Sequence, residues 1–255
     1  MQRPSHTNQP EVSRRRMLRK LAAAGGAAAL AALGAAAGLF SQRPRVVVLP
    51  NEAESSEDAF RPRIVSRDEW GALPVDHTAR NEGGLYQSGV NPEGWYEYAG
   101  DLRDSYQTLV VHHSAFYKAD GRATLLEAQR LHRRDRGWAD VGYHFMLDVD
   151  GVIYEGRNLG VRGVHTQGRN TGSAGVCLLG DFRFRAPTPA QWSALVVLGR
   201  WLAAELELTH LAAHSQFNEG TVCPGARVIE QLSALADQLG LGYGIDGYIP
   251  AAPRL

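Results

Sequence analysis

Cysteine is scarce in this 255-residue chain, which holds only Cys177 and Cys223. Two thiols are too few for a disulfide-rich scaffold or for a four-thiolate zinc finger. The chain also lacks internal repeats and, beyond its first 40 residues, low-complexity stretches. Its residues are 44% hydrophobic and 21% charged, the composition of an ordinary globular protein, which excludes a disordered or fibrous chain.

The chain has no formal net charge, but its charged residues are unevenly distributed. Residues 1–45 contain eight lysines and arginines against one acidic residue, a charge of +7, so the rest of this formally neutral chain carries −7. An acidic body argues against nucleic acid as a partner, because binding phosphates requires a basic surface. The basic start instead indicates a targeting segment.

We predict that residues 1–37 are an export signal. Residues 13–19 read S-R-R-R-M-L-R, and an alanine- and glycine-dominated run extends from Leu21 to Phe40. The Arg14–Arg15 pair resembles the twin-arginine type of signal, so we expect a secreted or cell-envelope protein. A 20-residue run could also remain as a membrane anchor, an alternative weakened by the small insertion energy of alanine and glycine.

Three further segments are predicted behind this signal. Residues 38–62 form a flexible linker, because they contain no periodic apolar pattern to bury. Residues 63–242 form one folded domain, and residues 243–255 form a C-terminal tail. We expect a monomer that touches a membrane only through its N-terminal segment, if that segment is not cleaved.

Strands and helices alternate within the predicted domain. Compact apolar runs predict buried strands, and an Asp-Gly pair predicts a hairpin between two more; the strands are 107–113, 141–149, 152–155, 174–180 and 211–213. Helical spacing and cap signals predict three helices, namely 124–136 closed by Gly137, 189–206 opened by a capping box at Thr188, and one closed by Gly240. The pattern indicates an α/β fold with a mixed central sheet flanked by about three main helices.

Three histidines at strand ends and one nearby cysteine suggest a metal site. His112 and His113 end a buried strand, His214 follows another, and Cys223 comes nine residues later. Two imidazoles and a thiolate suit zinc and leave a fourth tetrahedral position for water, the arrangement of a catalytic site. Neighbouring strand residues face opposite ways, so only one of His112 and His113 can take part, and the pattern does not choose between them.

Cys223 has an alternative partner. An exported protein can form disulfides, and Cys177 is the other cysteine of the chain, so a Cys177–Cys223 bridge would remove the thiolate from any metal site. Cys177 lies within a predicted buried strand, where a free thiol behaves as a small apolar side chain.

Seven sequence blocks follow one another along the predicted domain: I-V-S-R-D-E-W-G-A (64–72), L-V-V-H-H-S-A (109–115), R-G-W-A-D-V-G-Y-H-F (136–145), D-G-V-I-Y-E-G-R (150–157), G-V-H-T-Q-G-R-N (163–170), G-V-C-L-L-G-D-F (175–182) and A-H-S-Q-F-N-E-G-T-V-C-P-G (213–225). In content and order they resemble the family of peptidoglycan recognition proteins and zinc-dependent N-acetylmuramoyl-L-alanine amidases, which includes phage amidase-type lysozymes. The resemblance covers residues 63 to about 240 and implies the α/β fold of that family.

The resemblance also implies a ligand set. The first histidine of the H-H pair is the ligand in this family, so His112 is preferred to His113. His214 matches the second ligand and Cys223 the third, with zinc as the cofactor. The loop from His214 to Cys223 is one residue longer than in many members, and Gly220 is a plausible place for the extra residue.

Four other residues are expected to take part in catalysis or substrate binding. Tyr143 matches the tyrosine that amidase-active members need. Thr221 stands where phage members have lysine and recognition proteins often have threonine, and we expect its hydroxyl to be a second catalytic hydrogen-bond donor. His165 would line the groove near the metal as a substrate-binding residue. Trp95 could stack on a sugar or on the stem peptide.

The leading hypothesis is an exported zinc hydrolase that cleaves the amide between N-acetylmuramic acid and L-alanine in peptidoglycan. The alternative is a recognition module that binds muropeptides without cleaving them. Members of that kind typically lack the cysteine or the tyrosine, and this chain has both, as Cys223 and Tyr143. A cytosolic amidase that recycles muropeptides is disfavoured by the leader.

Overall fold

The structure, a computed structural model, describes residues 61–79, 81 and 96–246. The predicted signal, nearly all of the predicted linker, Trp95 and most of the predicted tail lie outside these residues. No helix in the described part of the chain has the length and apolar character needed to cross a bilayer.

The centre of the fold is a seven-stranded sheet with the strand order β1-β4-β3-β5-β2-β6-β7. Its strands are β1 (Ile64–Val65), β2 (Thr108–His113), β3 (Phe145–Leu147), β4 (Ile153–Glu155), β5 (Ser173–Leu178), β6 (His210–Ala213) and β7 (Gly242–Tyr243). Strand β2 pairs in parallel with both β5 and β6, whereas β3 and β4 form an antiparallel hairpin. The predicted mixed central sheet is therefore confirmed.

The part of the chain that the structure describes contains three long helices and two short ones. They are α1 (Arg67–Trp70), α2 (Gly121–Arg136), α3 (Pro189–Glu205), α4 (His214–Phe217) and α5 (Ala226–Leu239), and a short 3₁₀ helix spans Leu102–Asp104. Gly137 and Gly240 end α2 and α5 in the left-handed conformation, which glycine adopts without a steric penalty. The expectation of three main helices is confirmed.

Helix α2 begins earlier than predicted. The Asp120 side chain accepts a hydrogen bond from Ala123 N–H and so caps the helix one residue before Gly121. Aspartate is a strong N-cap because its carboxylate satisfies a free amide of the first turn. The apolar periodicity that predicted a start at Thr124 marks the buried face of the helix rather than its first turn.

The predicted capping box at the start of α3 is only half present. Thr188 Oγ1 accepts a hydrogen bond from Gln191 N–H, with Pro189 in the first turn. The Gln191 amide does not return to the cap: its Nε2 donates to the carbonyl oxygens of Leu147 and Leu179. Gln191 therefore ties α3 to the ends of two strands, because these buried carbonyls need a donor.

The first strand of the predicted hairpin is shorter than residues 141–149. Before Phe145, the amides of Val141 and Gly142 bond to side chains instead of a neighbouring strand: Val141 N–H donates to Asp140 Oδ1 and Gly142 N–H to His132 Nδ1. His144 N–H still donates to the Gly175 carbonyl oxygen of β5. After Leu147, Asp148 Oδ1 accepts from the Asp150 and Val152 amides and forms the turn. Local side-chain acceptors thus limit the strand to three residues.

The two faces of the sheet carry different cores. Leu109 and Val111 of β2 belong to the larger apolar cluster, which includes buried residues of α3 and α5. Cys177 of β5 belongs to the smaller cluster with Trp70 and Leu125, from α1 and α2. Because side chains alternate along a strand, His113 shares the α3 and α5 face with Val111, and His112 faces the α2 side.

Candidate metal centre

Two neighbouring parallel strands end at the same edge of the sheet and deliver two histidines. Val111 of β2 is in register with Ala213, the last residue of β6. His112 follows Val111 and His214 follows Ala213, so their rings meet with centroids 4.7 Å apart. The carboxyl ends of parallel strands are a common place for functional groups, because both strands point toward the same edge.

Cys223 comes from the loop after α4 and is tied back to these strand ends. Ser215 N–H donates to the Cys223 carbonyl oxygen at 2.9 Å, one residue after His214. The Cys223 sulfur accepts a hydrogen bond from His113 N–H at 3.3 Å. Two backbone contacts to the neighbouring elements therefore hold the thiol beside the histidines.

The three side chains have the spacing of a zinc site. One ligand atom from each of His112, His214 and Cys223 lies within 4.8 Å of the others, and Cys223 Sγ is 3.6 Å from His112 Nδ1. Tetrahedral zinc with Zn–S of about 2.3 Å and Zn–N of about 2.0 Å separates sulfur and nitrogen by roughly 3.5 Å. The donor set is also suitable, since imidazole and thiolate are preferred zinc ligands.

Burial keeps all three groups in their uncharged forms. It lowers the pKa of His112 well below the usual 6.5, with His165 and His214 adding to the effect. Burial likewise lowers the pKa of His214 to about 4 and raises that of Cys223 to about 12. Neutral imidazoles are ready to act as ligands, whereas a metal must displace the thiol proton to bind sulfur.

The alternative disulfide is not formed, because Cys177 and Cys223 are both free. Cys177 lies on β5 in register with His112 and is fully buried. Its side chain packs in the smaller apolar cluster, as expected for a structural thiol.

His113, the residue that the sequence pattern did not separate from His112, lies on the other face of β2. Its ring packs against Phe182, with centroids 6.3 Å apart, and its Nδ1 accepts a long hydrogen bond of 3.4 Å from Phe182 N–H. Its ring is outside the ligand group, and only its backbone amide contacts the Cys223 sulfur.

Tyr143 lies beside the ligand group. Its ring centroid is 5.1 Å from that of His112 and 5.5 Å from that of His132. Burial raises the pKa of Tyr143 well above the usual 10, and Cys177 and Cys223 add to this shift. The phenol therefore keeps its proton at neutral pH and is a hydrogen-bond donor.

Thr221 lies on the Cys223 loop. Its Oγ1 accepts a hydrogen bond from Cys223 N–H at 3.2 Å, and its own amide donates to the Asn218 carbonyl. A hydroxyl that accepts one hydrogen bond still has its proton to donate. Thr221 thus supports the ligand loop and also offers a donor.

His165 contacts His112 on the Nε2 side of its ring, away from Cys223. It is 7% exposed, and its Nδ1 is 3.0 Å from His112 Nε2. Burial lowers the pKa of His165 well below 6.5. The contact with His112 is a feature that the sequence pattern did not indicate, although His165 lies in the G-V-H-T-Q-G-R-N block.

Comparisons with known proteins agree with this architecture. Residues 102–226 match the family Amidase_2, described as N-acetylmuramoyl-L-alanine amidase. Peptidoglycan recognition protein 1 of Bos indicus is 30% identical over 183 residues, which are 69% of this chain and 80% of that relative.

Solved structures show the same fold. Wild-type PGRP-LB of Drosophila matches with a TM-score of 0.54 and 26% identity, over 68% of this chain and 93% of that one. A complex of tracheal cytotoxin with the ectodomains of peptidoglycan recognition proteins LCa and LCx matches with a TM-score of 0.52 and 28% identity, over 66% of this chain and 94% of that one. The α/β architecture expected from the sequence resemblance is thereby confirmed.

Proposed function

Because this chain belongs to the family of peptidoglycan recognition proteins and N-acetylmuramoyl-L-alanine amidases, we propose that it is a zinc hydrolase that cleaves the amide between N-acetylmuramic acid and L-alanine. The observation that carries this proposal is the grouping of His112, His214 and Cys223 with the Tyr143 ring beside it. Three protein ligands leave a fourth position open, which is typical of catalytic zinc rather than structural zinc.

His112, His214 and Cys223 would hold the ion. When bound, zinc would lower the pKa of a water molecule to about 7 and would polarise the scissile carbonyl with its positive charge. His214 is the half-buried member of the group, whereas His112 and Cys223 are buried. Substrate would therefore approach from the side of His214, with the other two ligands shielded from solvent.

Tyr143 would stabilise the transition state. Amide hydrolysis places negative charge on the former carbonyl oxygen, and a preorganised donor in a buried site lowers the energy of that charge. The Tyr143 phenol holds its proton at neutral pH because burial raises its pKa. The Thr221 hydroxyl would add a second donor, held in place by its hydrogen bond from Cys223 N–H.

Peptidoglycan, with its glycan strand and stem peptide, is the proposed substrate. The relatives are named for peptidoglycan recognition, and one neighbouring complex contains tracheal cytotoxin. Trp95 and His165 remain proposed contacts for this substrate. Binding without cleavage is the second candidate function, because the names of these relatives refer to recognition rather than hydrolysis.

Digestion of purified sacculi tests the proposal. The full-length protein is incubated with sacculi, with and without a chelator, and the released ends are identified by mass spectrometry. Free L-alanine amino termini that disappear with the chelator are expected of an amidase. Intact polymer retained on the protein would contradict hydrolysis and support a binding module.

Export through the twin-arginine route is a separate proposal that rests on Arg14 and Arg15. Replacing both with lysine should keep the protein in the cytoplasm, since the route reads the arginine pair. Export of active protein by this variant would contradict the assignment. Cleavage, rather than retention as an anchor, predicts a mature N-terminus near residue 38.

A further inference from the structure

His165 bridges a ligand histidine and a backbone carbonyl. Its Nδ1 lies 3.0 Å from His112 Nε2, and its Nε2 lies 3.3 Å from the Ser173 carbonyl oxygen. The Thr166 hydroxyl is 3.0 Å from the same Nδ1 and 3.4 Å from His112 Nε2. All these atoms are buried, so each polar group needs a partner within the protein.

The Ser173 carbonyl oxygen determines which ring nitrogens of His165 and His112 carry protons. A carbonyl oxygen only accepts, so the His165 Nε2 facing Ser173 carries a proton. A neutral imidazole then has a lone pair on Nδ1, and the hydrogen between the two rings belongs to His112 Nε2. His112 Nδ1 is left with its lone pair, and this atom is the one 3.6 Å from Cys223 Sγ.

We propose that His165 is a positioning residue for the metal: by accepting the hydrogen bond from His112 Nε2, it fixes the tautomer that directs the His112 Nδ1 lone pair toward the ion. This inference rests on the zinc site of the proposed function and assigns His165 a role beyond lining the groove. A ligand histidine commonly donates its second N–H to an oxygen acceptor; here the acceptor is a second imidazole.

The chain holds the His165 ring closely. Asn170 Oδ1 accepts hydrogen bonds from the amides of His165 and Thr166, at 2.8 and 2.7 Å, and so fixes the loop. The ring also lies against two glycines: a Cβ on either Gly163 or Gly175 would be 2.5 Å from His165 Cδ2. Any side chain at these positions would therefore displace the imidazole.

Measuring zinc affinity distinguishes a role of His165 in positioning His112 from a role in contacting substrate. We would measure it by chelator competition in wild-type protein, His165→Phe and His165→Gln, with His132→Phe as the matched control. Phenylalanine keeps the ring and removes the acceptor, and glutamine retains an acceptor oxygen. His132 is also a ring neighbour of Tyr143, but its Nδ1 accepts from Gly142 N–H and not from a ligand.

His165→Phe is expected to weaken zinc binding by about 10- to 100-fold. His165→Gln should recover part of this loss, and His132→Phe should leave zinc affinity unchanged. Wild-type zinc affinity in His165→Phe, with only KM raised on muropeptide, would overturn the inference. Equal loss in the glutamine and phenylalanine variants would also overturn it, because the acceptor would then be irrelevant.

Imidazole nitrogen NMR of the metal-free protein reads the tautomer directly. Wild-type His112 is expected to be protonated at Nε2 only, and His165→Phe should show a mixture of the two tautomers. Protonation of wild-type His112 at Nδ1 would contradict the inference, whether or not the phenylalanine variant folds. Neither readout requires hydrolysis, so uncut sacculi would count against the proposed function and leave this inference standing.

Discussion

Two buried histidines near the sheet, His144 and His112, differ in the hydrogen-bond partners of their ring nitrogens. His144 Nδ1 accepts from Gly175 N–H at 2.9 Å, and its Nε2 is 3.0 Å from both Tyr106 Oη and the Val161 carbonyl oxygen. Protein groups therefore saturate both nitrogens of His144. His112 has a partner for Nε2, whereas among the described residues its Nδ1 has the sulfur of Cys223, at 3.6 Å, as its hydrogen-bonding neighbour.

The difference shows that burial alone does not identify a ligand. Both rings are almost fully buried, and burial lowers the pKa of both. A saturated histidine is a structural hydrogen-bonding group, because binding a metal would break bonds it already makes. A buried histidine whose second nitrogen faces a thiol rather than a backbone group is a candidate ligand for a metal.

The largest effect is expected from replacing Cys223, whose sulfur lies beside His112 Nδ1. Cys223→Ser should lose zinc and hydrolysis down to background, because the thiolate is the charged ligand. Cys177→Ser is the matched control for zinc content, since Cys177 is buried outside the ligand group. It is not a control for turnover, because its side chain bonds to that of Tyr143. Zinc content is measured for both variants and sacculus digestion for Cys223→Ser, and zinc retained by Cys223→Ser would contradict the site.

Tyr143→Phe sharpens the comparison by leaving the ligands in place. We expect zinc content and folding to be unchanged and turnover to fall by about 10²- to 10³-fold, the usual effect of losing one transition-state donor. Tyr154→Phe, which removes a hydroxyl bonded to Asp148 Oδ2, serves as the control. Unchanged turnover in Tyr143→Phe would remove the phenol from the mechanism.

The saturated histidine predicts a pH dependence of folding. Burial lowers the pKa of His144 to about 4 from 6.5. The unfolded chain therefore binds the extra proton first, and stability falls as the pH drops from 6.5 to about 4 and levels off below. The loss attributable to this group is about 3 kcal/mol.

The difference between wild type and His144→Gln in urea unfolding of the zinc-free protein, from pH 4 to pH 7, measures this loss, because the other buried histidines are present in both proteins. His144→Gln should be less stable than wild type at pH 7, and its stability should fall less steeply toward pH 4. An equally steep fall in this variant would show that His144 does not carry the difference.

Thr221 should have the smallest effect. Thr221→Val removes the hydroxyl that accepts from Cys223 N–H and keeps the shape of the side chain. Losing one neutral hydrogen bond costs about 1 kcal/mol, which corresponds to roughly a fivefold fall in turnover. Thr221→Ser should restore the rate, and a fall as large as that of Tyr143→Phe would show that the Thr221 hydroxyl is a donor equal to the phenol rather than an auxiliary one.

Local patterns predicted most of the fold. The apolar run ending at His113 and the glycine stops after α2 and α5 depend on residues close in sequence, and these elements are present. The errors involve distant contacts. Gln191 leaves its predicted cap for the carbonyls of Leu147 and Leu179, and a sequence pattern does not show which distant strand ends need a donor.

The sequence led us to expect that the candidate ligands lie together, but not how they are connected to the rest of the chain. Strand alternation allowed only one of His112 and His113 to take part, and the family resemblance chose His112; the structure brings His112 together with His214 and Cys223. The hydrogen bond between His112 and His165 joins residues 53 positions apart. Such a pairing depends on how β2 and the loop before β5 meet in space, which neither spacing nor composition encodes.

Anomalous diffraction at the zinc absorption edge, on crystals of the purified protein, tests the central claim most directly. The account predicts one strong peak between His112 Nδ1, His214 and Cys223 Sγ, which marks a zinc ion bound by these three groups and by a fourth, exchangeable ligand. It predicts no peak at His144. No peak between these three side chains, or a covalent bond joining the sulfurs of Cys223 and Cys177, would contradict it.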